Sequence, residues 1–259
     1  MTETHAWDRA SLPLVRDGRR LPQVAALEAG LPSVSDLFDF MRDAALRFGT
    51  LRLRVIETTR GARGDVALRS DVVLRHPGDA RVTTGSAAEV LGSDYEIWIS
   101  DGDLVRTYDA AHRLGTQRPI RNRPRGLEDR DFPGAAKVYE PVTALPFETA
   151  ADTFVHPAGF CQNVLATGRC HIAGTEEILG REAILVTCDH PRTVELAGDR
   201  PDHHLELAVD RGTGLIVRLV ETIGGAQTRR AEVTVLDLDP TLPPAAFDFA
   251  FPTGTTMLY

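Results

Sequence analysis

Lysine is nearly missing from this chain: Lys137 is the only one among 29 basic residues, and arginine supplies the rest. That bias reads as the coding preference of a GC-rich genome, with a need for bidentate anion contacts as the other reading. Acidic residues number 37, and the net charge of −8 argues against a general nucleic-acid binder, which needs a basic surface to displace counterions from phosphates. Cysteine is scarce and odd in number, three in all, which fits reduced thiols better than a disulfide framework.

Long hydrophobic runs are also lacking. No stretch reaches the roughly 18 apolar residues of a membrane span, and the opening "MTETHAWDRASLPLVRDGRRLPQ" does not have the basic-then-apolar order of an export signal. As written, the expectation is a cytoplasmic protein with no stable membrane insertion, or an extracytoplasmic one if the sequence is a processed form. The Gly-x-Ser-x-Gly elbow, the phosphate-cradling Gly-x-x-x-x-Gly-Lys loop, the Gly-x-Gly-x-x-Gly turn and the His-Glu-x-x-His helix are all missing. Hydrolase, nucleotide and zinc-protease classes lose their usual support, and no cofactor is expected. A general acid and base can still come from any pair of side chains that a fold brings together.

What remains is an ordinary globular composition, 42% hydrophobic and 25% charged, enough for a sizeable core in one domain. Residues 1–32, broken by Pro13, Pro22 and Pro32, read as an irregular arm with one short helix near Gln23–Ala29. The pattern then turns helical: Ser33 and Asp36 have capping-box-like spacing, and Val34, Leu37, Phe38, Met41, Ala45 and Phe48 recur at three and four up to Gly49.

After Gly49 the period becomes two. In "DVALRSDVVLRHP", Val66, Leu68, Val72 and Leu74 share a face, as in a half-buried strand. Similar runs occupy 51–59, 80–85, 95–100 and 103–109, and later 169–174, 182–188, 203–210, 215–223 and 228–238. Near Val235 the phase slips, which predicts a bulge or a strand end. Residues 146–167 read as two short helical turns broken at His156-Pro157. The stretch 114–134 carries three prolines and no apolar period, so it is expected to be a long loop of the kind that often serves as a lid. About ten strands and few helices make an α+β protein whose sheet is mostly antiparallel.

Candidate chemistry is thin. Centring a hairpin near Leu179 puts Cys170 opposite Cys188 with both sulfurs toward the core. Buried thiols acting as small apolar groups are the first reading, and a cross-strand disulfide in an exported protein the second. No metal site is expected, because no ligand spacing matches. His203 and His204 fall on opposite faces of a strand and read as surface or rim residues, while His76 and His112 lie at strand ends with no adjacent nucleophile. Phe38, Met41, Phe48, Trp98, Tyr108, Phe132 and Phe160 could surround one cavity.

Five segments then take on weight together: "YEIWISDGDLVRTYDA" (95–110), "ILGREAILVTC" (178–188), "HLELAVDRGTGLIVRLVE" (204–221), "FDFAFPTGT" (247–255) and the helix before the first long strand. Their order, with Trp98, Asp101 and Gly102, Gly180-Arg181, Asp210, Thr213 and Gly214, and Phe251, Pro252 and Gly254, resembles the LolA-like superfamily from about Ser33 to Thr255. That group comprises lipoprotein carriers, their outer-membrane receptor counterparts and the sensor domains of RseB-type sigma-factor regulators. The resemblance implies a strongly curved, half-open antiparallel barrel with helices plugging its concave face, and an apolar cavity that takes acyl chains. It puts Trp98 in the cavity wall and Phe38 and Met41 in the plug.

The expectation is therefore a non-enzymatic binder of a hydrophobic small molecule or acyl chain. The rival is a cofactor-free cyclase or isomerase in the same cavity, for which Tyr95, Glu96, Tyr108 and His204 are the residues to inspect. A protein partner in a sigma or anti-sigma system comes last.

Overall fold

Ser33 opens the first helix as its sequence spacing predicts. In the computed structural model, which describes residues 24–62, 64–88, 94–120, 142–191 and 200–258, the Ser33 hydroxyl accepts from the Asp36 amide at 3.1 Å and caps α1 (Val34–Arg42). α1 buries Leu37, Phe40 and Met41. It stops at Asp43, six residues short of Gly49, and the chain tightens into a 3-10 turn at Ala44–Leu46. The cause is tertiary: Arg47 stacks over the Phe40 ring at 3.7 Å and donates to Phe40 O (2.8 Å) and Thr213 O (3.2 Å). Residues 24–33 contain no helix, so the one expected near Gln23–Ala29 does not form in its described part.

A run of strands follows: β1 (Thr50–Gly61), β2 (Gly64–Arg75), β3 (Asp79–Ser86), β4 (Tyr95–Asp101), β5 (Leu104–Asp109) and β6 (Leu114–Pro119). Two short helices come next, α2 (Ala150–Val155) and α3 (Pro157–Asn163), parted at His156-Pro157 as the sequence predicts. Thr149 caps α2 through the Asp152 amide, and Pro157 starts α3 at the first helical position, where a missing N–H costs nothing. β7 (Arg169–Ile178), β8 (Arg181–Asp189), β9 (His203–Asp210), β10 (Ile216–Ile223), β11 (Ala226–Leu238) and β12 (Thr256–Leu258) complete the order among the described residues.

All twelve strands join one open sheet, ordered β12-β6-β5-β4-β3-β2-β1-β11-β10-β9-β8-β7. Every pairing is antiparallel except that of β12 with β6. The sequence reading of about ten strands missed two. β6 lies where a loop was expected from residue 114, and β12 lies in the C-terminal tail. β12 is the edge strand and β6 lies next to it. Gly115 has no side chain to reveal a period, because a Cβ there would stand 2.7 Å from the Phe251 ring.

Register decides which residues share a layer. Leu51, Leu53 and Val55 of β1 are buried, with Leu74 and Val72 opposite the first two, Ala80 and Val82 beyond them, and Trp98 opposite Val82. The same layer continues through Val233 and Ala231 to Leu219, Leu207 and Val186. One contiguous core joins these side chains to Leu37, Phe40 and Met41 of α1, Phe154 and Val155 of α2, and Cys161 of α3. The helices thus lie on this face, called here the helix face. The predicted phase slip in β11 is a bulge: Arg54 opposes Val235 and Val55 opposes Val233, leaving Thr234 unpaired.

The other face is covered over β3–β5 by the C-terminal segment. After β11 the chain turns at Asp239 and makes a 3-10 turn at Pro244–Phe247 that packs on β3 and β4. Phe249 and Phe251 then cover Ile97, Ile99 and Tyr108.

Candidate functional site

The helix face changes character along β2. Leu74 and Val72 are fully buried under the helices; then come Ser70, half-buried, Leu68, 41% exposed, and Val66, 56% exposed. Successive members of this row are two residues apart, about 6.6 Å along the strand. A row that is apolar except at Ser70 thus begins inside the core and ends in the open among the described residues. Ser70 and Thr84 share a hydroxyl contact of 3.2 Å beside it, and Glu57 lies opposite Leu68. Trp98, partly buried against the core, stands two strands away on the same face.

Phe38, Met41, Phe48, Trp98 and Phe160 all belong to or pack against this one core. Met41 is fully buried and its Sδ accepts from the Cys161 thiol at 3.7 Å. Phe48 stacks on the His76 ring with centroids 5.3 Å apart. Phe132 lies outside the described residues. Tyr108 does not join them: it opposes Ile97, while Trp98 opposes Thr107, so strict alternation sends Trp98 and Tyr108 to opposite faces. Tyr108 instead meets Phe249 (6.1 Å) and Tyr95 (6.3 Å) on the far side.

The four residues singled out for catalysis are scattered. Tyr95 and Tyr108 lie on the far face, and Glu96 is exposed on the helix face of β4. His204 lies six strands away on β9, its Nδ1 2.7 Å from Asp189. His203, expected at the surface, is instead 1% exposed, with Nδ1 3.3 Å from Pro191 O and Nε2 3.5 Å from Glu221. Among the described residues, no group of three or more His, Cys, Asp or Glu is arranged to hold a metal ion.

The sequence reading passed over a buried polar cluster at the closed end of the row. His76 follows Leu74 on the helix face and is 1% exposed. Thr143 Oγ1 accepts from the Gly78 amide (2.8 Å) and shares a hydrogen bond with His76 Nδ1 (2.7 Å). Burial pushes the His76 pKa down to about 3, helped by nearby His156. His156 donates through Nδ1 to Asp152 at 2.9 Å. The Nε2 atoms of both imidazoles are buried without a hydrogen-bond partner. One signal was available: each of these histidines directly precedes a proline, at a corner of the chain.

The segments that carried the family resemblance hold the scaffold together. Arg181, after the two-residue turn Leu179-Gly180, forks onto Asp210 at 2.7 and 3.0 Å. Asp210 Oδ2 also accepts from the amide (2.8 Å) and hydroxyl (2.6 Å) of Thr213. Gly214, at φ +82°, brings this hairpin against α1, where a Cβ would stand 3.1 Å from Phe40 O and Met41 Cα. Asp101 Oδ1 likewise accepts from the Asp103 and Leu104 amides and closes the β4–β5 turn.

A separate cleft of about 460 Å³ opens at the β6–β12 edge, lined by Gln117, Phe251, Pro252, Thr255, Met257 and Leu258. None of the residues proposed from the sequence as ligand contacts lines it.

An open, mostly antiparallel sheet with short helices on one face defines the class of fold. No known family profile matches the chain, and no curated protein matches it. Among solved structures it is similar to MucB, with 14% identity and a TM-score of 0.49 over 85% of this chain and 64% of MucB. The chain thus spans just under two thirds of that protein. It is similar to an uncharacterized conserved protein from Thermus thermophilus, with 10% identity and a TM-score of 0.48 over 88% of this chain and 99% of that one. A LolA superfamily protein from Nitrosomonas europaea is also similar, with 9% identity and a TM-score of 0.36 over 85% and 99%.

Proposed function

We propose that this protein binds a hydrophobic small molecule or acyl chain on its helix face, between the open sheet and the helices that lie on it. The observation that carries this reading is the row along β2: Leu74 and Val72 are sealed, while Leu68 and Val66 on the same face are open. A sheet gains nothing by presenting large aliphatic side chains to water, and uncovered apolar surface continuous with a core marks a binding site. Trp98 supplies an aromatic wall beside the row, and Ser70, Thr84 and Glu57 supply a polar rim. Phe38 and Phe160, half-buried at the core's margin, belong to the helix side of the same site.

The chain has two tryptophans, Trp7 and Trp98. A Trp7→Phe variant makes Trp98 the sole reporter. Delipidated variant titrated with a fluorescent fatty acyl probe is expected to show saturable energy transfer from Trp98, competed by unlabelled fatty acid. Native mass spectrometry of freshly purified protein is expected to show a co-purified apolar molecule. No saturable binding, or binding unaltered by Leu68→Asp, would refute the proposal.

A further inference from the structure

The three cysteines gather at the β7–β8 edge, and the binding function makes no use of them. Register places Cys170 of β7 directly opposite Cys188 of β8. Residues directly opposed in an antiparallel pair have Cα atoms about 4.5–5.5 Å apart, inside the window of about 4.4–6.8 Å that a disulfide spans. Their side chains also converge. Cys170 Sγ lies 3.2 Å and Cys188 Sγ 3.7 Å from the same carbonyl oxygen, that of Leu165. Gly168 keeps the space beside the inner sulfur free, since a Cβ there would stand 2.5 Å from Cys188 Sγ.

We propose that Cys170 and Cys188 form a reversible dithiol–disulfide site, closed by exchange with a low-molecular-weight disulfide. The two sulfurs have different roles. Cys170 is partly exposed and Cys188 is fully buried, so an incoming disulfide reaches Cys170 first. The neighbouring Cys188 thiol favours the Cys170 thiolate and lowers its pKa against the opposing effect of burial; the same proximity raises that of Cys188.

The Cys170 thiolate attacks one sulfur of the disulfide, forming a mixed disulfide and releasing one thiolate. Cys188 then gives up its proton and attacks the Cys170 sulfur, expelling the second thiolate. Two protein thiols are oxidised, one small disulfide is reduced to two thiols, and the two protein protons end on those products.

Cys161 is outside this exchange. Its thiol is directed at Met41 Sδ, and burial pushes its pKa up to about 12. Closure fastens β7, the last strand of the sheet among the described residues, to β8. It also withdraws both thiol donors from the Leu165 carbonyl, which keeps the Gly168 amide at 3.1 Å. The 3-10 turn at Leu165–Thr167 directly follows α3, so the redox state reaches the end of the helix layer.

The test uses the folded full chain with glutathione disulfide, then alkylation, intact mass and peptide mapping. The expected result is loss of two hydrogen masses and one cross-link joining the Cys170 and Cys188 peptides, reversed by dithiothreitol. Cys188→Ser and Cys188→Ala are expected to stop at a glutathione adduct on Cys170, and Cys161→Ser to cross-link like the parent. In the parent chain, whose folding is checked by circular dichroism, a persistent glutathione adduct, a cross-link through Cys161, or no reaction overturns the proposal. The parent chain alone decides the matter if a Cys188 variant does not fold.

Discussion

The two faces of this sheet are stabilised differently although the same strands build both. On the helix face, one core runs from Val82 to Val186 across seven neighbouring strands and takes in α1, α2 and α3. On the far face, the C-terminal segment covers the β4–β5 end, where Phe249 and Phe251 meet Tyr108, Ile97 and Ile99. The first layer is broad and closes around Phe154, Met41 and Leu53, all at or below 1% exposure. The second is a small aromatic patch in which Tyr95, Phe249 and Phe251 keep partial access to water. The difference separates a layer that makes the fold from one that finishes an edge, and only the first has an apolar row leading out of it.

Truncating one aromatic in each layer tests the contrast most severely. Phe154→Ala is expected to cost about 3–5 kcal/mol, as for fully buried phenylalanines, and Phe251→Ala about 1–2 kcal/mol, within the range of ordinary partly buried sites. Urea unfolding of both variants checks this; equal losses would mean that the far-face patch is as integral as the core.

Acid should act through the helix layer. His76 is neutral in the fold with its pKa pushed down to about 3, whereas an unfolded histidine titrates near 6.5. Its burial therefore contributes fully above pH 6.5 and is lost as pH falls toward 3. The slope contributed by this one group approaches about 1.4 kcal/mol per pH unit. Unfolding free energies of the parent and His76→Gln measured across that window should converge as pH falls; parallel curves would show that His76 is not the group responsible.

Ligand binding should separate the faces next. Trp98→Ala is expected to weaken acyl-probe binding at least tenfold, about 1.4 kcal/mol, and Tyr108→Ala to leave it unchanged, although the two side chains stand on adjacent strands. Equal effects would break the assignment of the site to one face. The smallest effect is Val66→Ser, expected to shift stability by less than about 0.5 kcal/mol while measurably weakening the probe. A larger stability loss would mean that Val66 is covered in the folded protein.

Much of the scaffold was legible because it is written in local periods. The two-residue alternation of β2, the cap at Ser33, the break at His156-Pro157 and the bulge at Thr234 each follow from neighbours in sequence. Even the Cys170–Cys188 pairing could be placed from the centre of its hairpin. The strands β6 and β12 were not legible, since they are strands by virtue of backbone pairing and carry little side-chain pattern. The aromatic residues were legible as a set and not as a site. Composition cannot tell which of them share a layer, and alternation along β4 and β5 assigns Trp98 and Tyr108 to different ones only once the strands are in register.

His76 and His156 illustrate the same limit. Separated by 80 positions, each looks in sequence like a corner histidine beside a proline. Packing of α2 on β2 buries both, sets them beside Thr143 and Asp152, and moves the pKa of His76. The sequence by itself determined the strand and helix pattern, the acidic composition and the turns that join neighbours, because these depend on residues a few positions apart. Only the tertiary structure decided which face holds the core, where the apolar row opens and which imidazoles meet, because those are facts of register and burial between distant segments.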